Sequence, residues 1–333
     1  MRTMLLAGLV GLLTFQAVPA TAQSVADMYY YLMRPFFISR YLDVHHEKGM
    51  KAAQKQDWET AVVELESSFC HLAKNDTSSE SRKACMADAI GDSTKMFSIF
   101  LNRLRYDLAM SYSQLAARRA TAGRMREADS LGELSIYFLN HIWGNIGGSL
   151  AAVYSSVGSI KYDLGELSSA EKLHRKALEL VERESQPYST MRAICGIGLG
   201  KAYLARGKMY EAEPVFLNAI EAADSNCTPL GAEENYACVM AAIGKAYLGE
   251  DYRLVGKSAD AESSYSQSLA MLENSKIPMV LPQLDSLFDN YVELVRLSGR
   301  EDEAGELDKR VWGIIERRMQ SSKRIDAEDH RTK

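Results

Sequence analysis

Five glycines, Gly123, Gly165, Gly207, Gly256 and Gly299, recur at steps of 42, 42, 49 and 43 residues. Each is followed five residues later by alanine: Ala128, Ala170, Ala212, Ala261 and Ala304. After four of those alanines comes an apolar-periodic stretch, as in Ala212 to Ile220. A fixed period of this size marks stacked supersecondary units, none of which can bury its apolar face alone. Such a chain folds as a solenoid whose core lengthens with every unit. That is how 333 residues can run on with no Pro- or Gly-rich linker between domains.

The units are helical. The helix formers Ala, Leu and Glu are abundant, and β-branched runs of period two are missing. In the clearest unit, Leu199, Gly200 and Tyr203 share one face of a first helix. Gly207 stands where a left-handed helix terminator belongs. The second helix then presents Met209 or Tyr210, Ala212, Phe216 and Ala219 to the core. The phrase Gly200-Lys201-Ala202-Tyr203-Leu204 returns as Gly244-Lys245-Ala246-Tyr247-Leu248. An extra segment within Gly249 to Gly256, lengthening the inter-helix turn, would explain the long step. Upstream, Ser168 and Glu171 have capping-box spacing. Weaker copies lie at Tyr112 to Ala128, at Leu287 to Ala304, and around Gly49, Ala52, Trp58, Ala61 and Leu65.

This pattern of mid-helix glycine, aromatic, turn glycine and alanine resembles the tetratricopeptide repeat family. The 42-residue beat and the phrase Glu211-Ala212-Glu213-Pro214 are similar to its kinesin-light-chain type. The resemblance implies an all-α superhelix of about six helix pairs over residues 42–318, and the polar stretch from Lys74 to Ser81 reads as a loop insertion near 73–84. It also implies a concave groove that takes an extended peptide or a partner helix. On that line stand Ile197, Lys201 and Leu204, repeated as Ala241, Lys245 and Leu248, preceded by Ser155, Ser159 and Tyr162, and followed by Asp289, Glu293 and Arg296. Lysines at equivalent places would suit an acidic peptide or a terminal carboxylate.

Residues 1–22 have the form of a secretory leader. Arg2 is followed by an apolar run from Met4 to Phe15, and Ala20-Thr21-Ala22 places cleavage before Gln23. The mature chain is then expected in a periplasm or secreted. Without Arg2 it holds 38 basic and 44 acidic residues, a net charge near −6 that argues against nucleic acid as partner. Residues 23–41, with Tyr29, Tyr30, Tyr31, Phe36, Phe37 and Tyr41, read as an aromatic cap or a self-association patch. Residues 319–333 read as a charged, flexible tail. Cys70 with Cys85, and Cys227 with Cys238, flank loops that disulfides would staple in an oxidising compartment. Cys195 is expected to be a buried free thiol.

Catalytic motifs do not hold together. Gly196-Ile197-Gly198-Leu199-Gly200-Lys201 lacks the strand and the Ser or Thr of a phosphate loop. Ser169-Ala170-Glu171-Lys172 lacks the companion motifs of penicillin-interacting enzymes. His45 and His46 are adjacent rather than four apart, so they do not form a helical metal pair. No enzyme, cofactor or metal is expected. The leading expectation is a binding scaffold, with an envelope ligand sensor or a structural assembly subunit as alternatives.

Overall fold

The computed structural model describes residues 44–74, 95–142, 146–183, 189–227, 236–275 and 282–329. Among them are twelve helices and no strand, and the helices pair in chain order. The pairs are α1 (Val44–Gln54) with α2 (Trp58–Lys74), α3 (Lys95–Thr121) with α4 (Met125–Asn140), and α5 (Gly147–Asp163) with α6 (Leu167–Arg183). They continue as α7 (Ser189–Ala205) with α8 (Met209–Asp224), α9 (Tyr236–Leu254) with α10 (Ser258–Glu273), and α11 (Pro282–Leu297) with α12 (Glu301–Asp329). Two compact units result, Met1–Ile146 and Gly147–Lys333. The leader, the aromatic cap, Cys85 and most of the 73–84 loop lie outside the described residues. The last helix runs to Asp329, beyond position 318 where the sequence reading closed the repeats.

The periodic glycines make the turns. Gly123, Gly165, Gly207, Gly256 and Gly299 have φ of 74, 77, 72, 81 and 80°, left-handed values that a side chain resists. Gly207 N–H donates to Leu204 O at 2.9 Å, and Lys208 N–H reaches back to Tyr203 O at 2.9 Å. These two bonds form a Schellman terminator. The next helix starts at once, with Ala212 N–H donating to Lys208 O at 3.1 Å. The Gly-to-Ala spacing of five is therefore one terminator plus one opening turn. All five alanines are fully buried, which leaves no room for a larger residue.

The first pair breaks this rule. Gln56 holds the turn position with φ 57°, while Asp57 N–H still donates to Ala52 O at 2.9 Å and Ala61 N–H to Asp57 O at 2.9 Å. A left-handed non-glycine residue costs about 1 kcal/mol. Gln56→Gly should therefore raise stability by about 1 kcal/mol, read as a higher urea midpoint with an unchanged slope. In this first unit Phe138 packs edge-on to Phe69 at 5.6 Å and is stacked with Tyr112 at 5.9 Å.

In the second unit α6, α8 and α10 each drive a ring into a glycine of the first helix they pair with. A Cβ on Gly158 would stand 2.8 Å from the His174 ring, on Gly200 2.4 Å from Phe216, and on Gly249 2.9 Å from Tyr265. All three glycines lie seven residues before their turn glycine. That register corrects the sequence alignment. Gly244 does not match Gly200; it meets Ile220 of the preceding pair at 2.8 Å. The spatial partner of Gly200-Lys201-Ala202-Tyr203-Leu204 is Gly249-Glu250-Asp251-Tyr252-Arg253, five residues further on. Ring contacts agree: Lys208 Nζ lies 5.3 Å above Tyr203, and Lys257 Nζ lies 5.0 Å above Tyr252. Nor is the turn lengthened, since α9 continues unbroken to Leu254 and Lys257 N–H closes on Tyr252 O at 2.8 Å. The terminator fixes the register from the C-terminal end, and likeness upstream cannot override it.

An ion-pair ladder ties pair to pair. Glu171, Glu213 and Glu262 each follow a repeat alanine, and Lys208, Lys257 and Arg300 each follow the next turn glycine. They meet at 3.0, 3.3 and 2.6 Å. Arg175 and Arg206 also bond Glu171. Burial pushes the Glu171 carboxyl up, but Lys208, Arg206 and Arg175 outweigh it and hold it below the ordinary carboxylate value. Glu171 therefore is no capping-box partner of Ser168, and α6 closes its first turn on Glu166, with Ala170 N–H donating to Glu166 O at 3.0 Å.

Candidate partner-binding line

Counting six and three residues back from each turn glycine gives equivalent positions on the four first helices. They are Ser159 and Tyr162 on α5, Lys201 and Leu204 on α7, Glu250 and Arg253 on α9, and Glu293 and Arg296 on α11. The sequence reading missed Glu250 and Arg253 and put Lys245 and Leu248 in their place. Lys245 instead turns toward the second helices, donating to Gln267 Oε1 at 3.2 Å and lying 3.7 Å from Asp224. Leu248 and Ile197, each 6% exposed, belong to the hydrophobic core and line no open groove. Counting from the turn glycine was the signal that would have found this.

Lys201 is the centre of the line. Its Nζ lies 4.8 Å from the Tyr162 ring centroid and 5.4 Å from that of Tyr247. A cation between two π faces is stabilised where water is scarce. Burial pulls the Lys201 ammonium down, and Asp163 opposes that pull. The same burial raises Asp163, with Lys201 opposing, and raises Tyr162. The tyrosine that closes the cage, Tyr247, also stacks on Phe216 at 5.9 Å.

Arginines further along are answered by carboxylates. Arg253 grips Glu250 with Nε at 2.8 Å and Nη2 at 2.7 Å, and Glu250 also accepts from Tyr265 at 2.6 Å and Asn290 at 3.1 Å. Arg296 bonds Glu293 at 2.8 Å and Glu301 at 3.3 Å. The line is thus not the uniformly basic stripe that the repeated lysines suggested. It carries one caged cation beside Asp163, then two Glu–Arg pairs.

Behind Lys201 the fold gathers Ser155, His174 and Cys195, a trio from three helices that no spacing along the chain links. His174 is wedged between α5 and α7, where a Cβ on Gly198 would stand 2.3 Å from its ring. Burial, with Lys201 adding to it, brings its pKa down to about 4. Ser155 Oγ lies 3.5 Å from His174 Nδ1. Burial pushes the Cys195 thiol up to about 12, the reverse of what a thiolate nucleophile needs. The trio is packing, and the glycines of the phosphate-loop-like string admit His174, Ala219 and Phe216 rather than a phosphate.

The remaining candidates resolve as follows. Cys227 and Cys238 form a disulfide with Cα atoms 4.7 Å apart, and Cys195 is a buried free thiol. Cys70 lies in α2, while its expected partner Cys85 is outside the described residues. His45 and His46 diverge, to Glu64 at 2.5 Å and Asp107 at 3.4 Å. Among the described residues no three His, Cys, Asp or Glu side chains could hold a metal ion, and no helix is long and apolar enough to cross a membrane. Tyr210 does not join the core: it is 86% exposed, and the half-buried Met209 lies inward of it.

No protein-family model matches the sequence, and comparison with curated proteins finds no match. Solved structures do resemble it. BtubC (BKLC) from P. vanneervenii aligns over 82% of this chain and 91% of its own, at 18% identity and a TM-score of 0.53. Rap protein complexed with competence and sporulation factor aligns over 89% of this chain and 76% of its own, at 14% identity and a TM-score of 0.54. Kinesin-light-chain TPR-like repeats from Podosopora anserina align over 64% and 95%, at 19% identity and a TM-score of 0.48. At such identities the likeness is one of fold. That fold is the all-α, tetratricopeptide-like solenoid of helix pairs.

Proposed function

We propose that this chain is an exported, non-catalytic interaction scaffold that holds an extended partner segment along the first helices of residues 147–333. The observation that carries this is the ammonium of Lys201 between Tyr162 and Tyr247, at the middle of a line of equivalent positions. The partner chemistry follows from the charges. One carboxylate, of an acidic side chain or a chain terminus, would sit at Lys201. A mixed polar stretch would then cross the Glu250–Arg253 and Glu293–Arg296 pairs, since a long acidic run would face two glutamates. The Rap structure shows the same fold in complex with its factor, which supports a ligand-holding use of such helices. Export is supported by the Cys227–Cys238 disulfide, because such bonds persist in oxidising compartments. Intact mass of the extracytoplasmic protein should then begin at Gln23.

Peptide-display selection on the mature chain tests the binding reading. Selected peptides should lose at least tenfold in affinity on Lys201→Glu and on Lys201→Met, which keeps the packing between the rings. Glu306→Lys on the exposed face of α12 should leave affinity unchanged. Failure to enrich any peptide, or equal affinity for all variants, would overturn it.

A further inference from the structure

The second helices hand the stack on through three positions. Reading from the turn glycines, these are His174, Leu178 and Val181 on α6, then Phe216, Ile220 and Ala223 on α8, then Tyr265, Leu269 and Leu272 on α10. On α10 the three are covered: Tyr265 stacks on Tyr291 of α11 at 5.3 Å, and Leu269 and Leu272 are 1% and 2% exposed within the same core as Leu284 and Leu287. On α12 the same three positions are Asp308, Trp312 and Ile315. Trp312 is 61% exposed, and Asp308 and Ile315 are half-buried. The ladder stops here too, because Gly305 stands where Glu171, Glu213 and Glu262 supply carboxylates.

We propose that Trp312 and Ile315 dock an amphipathic helix of a partner protein, in the register of a seventh first helix. The argument is continuity: the face of α12 is the repeat-to-repeat interface, and among the described residues no helix covers it. An exposed tryptophan at a position that α8 and α10 close with the buried Ile220 and Leu269 is the kind of anchor around which binding energy concentrates. The occupant differs from α11 in one respect. Asp308 replaces a ring that stacks on Tyr291, so the docking helix carries a basic residue at the Tyr291 position, opposite a carboxylate rather than an aromatic. This surface does not depend on the Lys201 line.

The probe is a fluorescein-labelled peptide of residues 282–297 of this chain, a ready-made first helix, made with Tyr291 and with Tyr291→Arg. Anisotropy with the full mature chain should show saturable binding, tighter for the arginine peptide. Trp312→Ala should weaken it at least tenfold, while Leu217→Ser on α8 should not. Trp312 is largely exposed, so the variant keeps its helical circular dichroism and melting point. Absence of binding, or equal binding to Trp312→Ala, would overturn the proposal. So would a concentration-dependent dimer lost on Trp312→Ala in sedimentation, since a second copy would then own the face.

Discussion

Replacing Tyr265 with alanine is expected to cost about 4 kcal/mol, the largest loss from any single truncation in the second unit. The ring is fully buried, fills the space over Gly249, stacks on Tyr291 and donates its hydroxyl to Glu250. Removal therefore opens a cavity at the joint of three helices and strips one donor from a poorly exposed carboxylate. Urea denaturation followed by circular dichroism reads the loss. A double-mutant cycle then tests the register itself. In the wild type, Gly249→Ala forces a Cβ to within 2.9 Å of the Tyr265 ring and destabilises. In Tyr265→Ala no ring opposes it, and the same change should be neutral or gain up to about 1 kcal/mol of helix propensity. Gly244→Ala, which meets Ile220, should cost the same in both backgrounds. Coupling of Tyr265 to Gly244 instead would show the five-residue shift to be wrong.

That shift marks where sequence reasoning held and where it failed. Turn glycines and their alanines are legible because local backbone geometry dictates them: φ near 75° needs glycine, and a first turn pressed between helices needs alanine. The register of α9 is not legible from its phrase. This helix is buried on nearly every side from Ala237 to Gly249, so small residues serve equally at Gly244 and Gly249, against different neighbours. A repeated phrase then reports burial, not equivalence. The choice between Met209 and Tyr210 stayed open for a related reason, since one step of 100° separates the half-buried Met209 from a solvated ring. The cage at Lys201 was half visible. Tyr162 and Lys201 were both singled out on their own helices, but Tyr247 arrives from a third helix whose register had been misread. The ladder was written in the sequence, as a glutamate after Ala170, Ala212 and Ala261 and a base after Gly207, Gly256 and Gly299. Only the packing of one pair on the next shows that these two columns meet.

Removing the ionisable groups at His174 and Asp251 should expose two large and opposite pH dependences. Both occupy core positions. His174 stands where the next two pairs have Phe216 and Tyr265, and Asp251 where α7 and α5 bury Ala202 and Ile160. Asp251 Oδ1 has no hydrogen-bond partner, and burial, helped by Glu213 and opposed by Lys257, raises its carboxyl to about 6. For His174 the folded value lies below the unfolded one. The unfolded chain therefore binds the extra proton, and stability falls as pH drops from about 6.5 to about 4. For Asp251 the folded value lies above the unfolded one, so the folded chain binds the proton. Stability then falls as pH rises from about 4 to about 6. Each term is worth about 3 kcal/mol across its window, and over most of that range they cancel. Asp251→Ala should thus gain about 2 kcal/mol at pH 7.5, where an orphaned carboxylate is replaced by the residue that α7 uses. It should also lose stability relative to wild type on acidification. His174→Leu should do the reverse, whatever its lost packing costs at neutral pH, because the slope and not the offset is read. Urea midpoints for the three proteins at steps between pH 4 and 7.5 decide it. Parallel curves would mean that neither group is buried as its position implies, and that the space between Gly158 and Gly198 admits water.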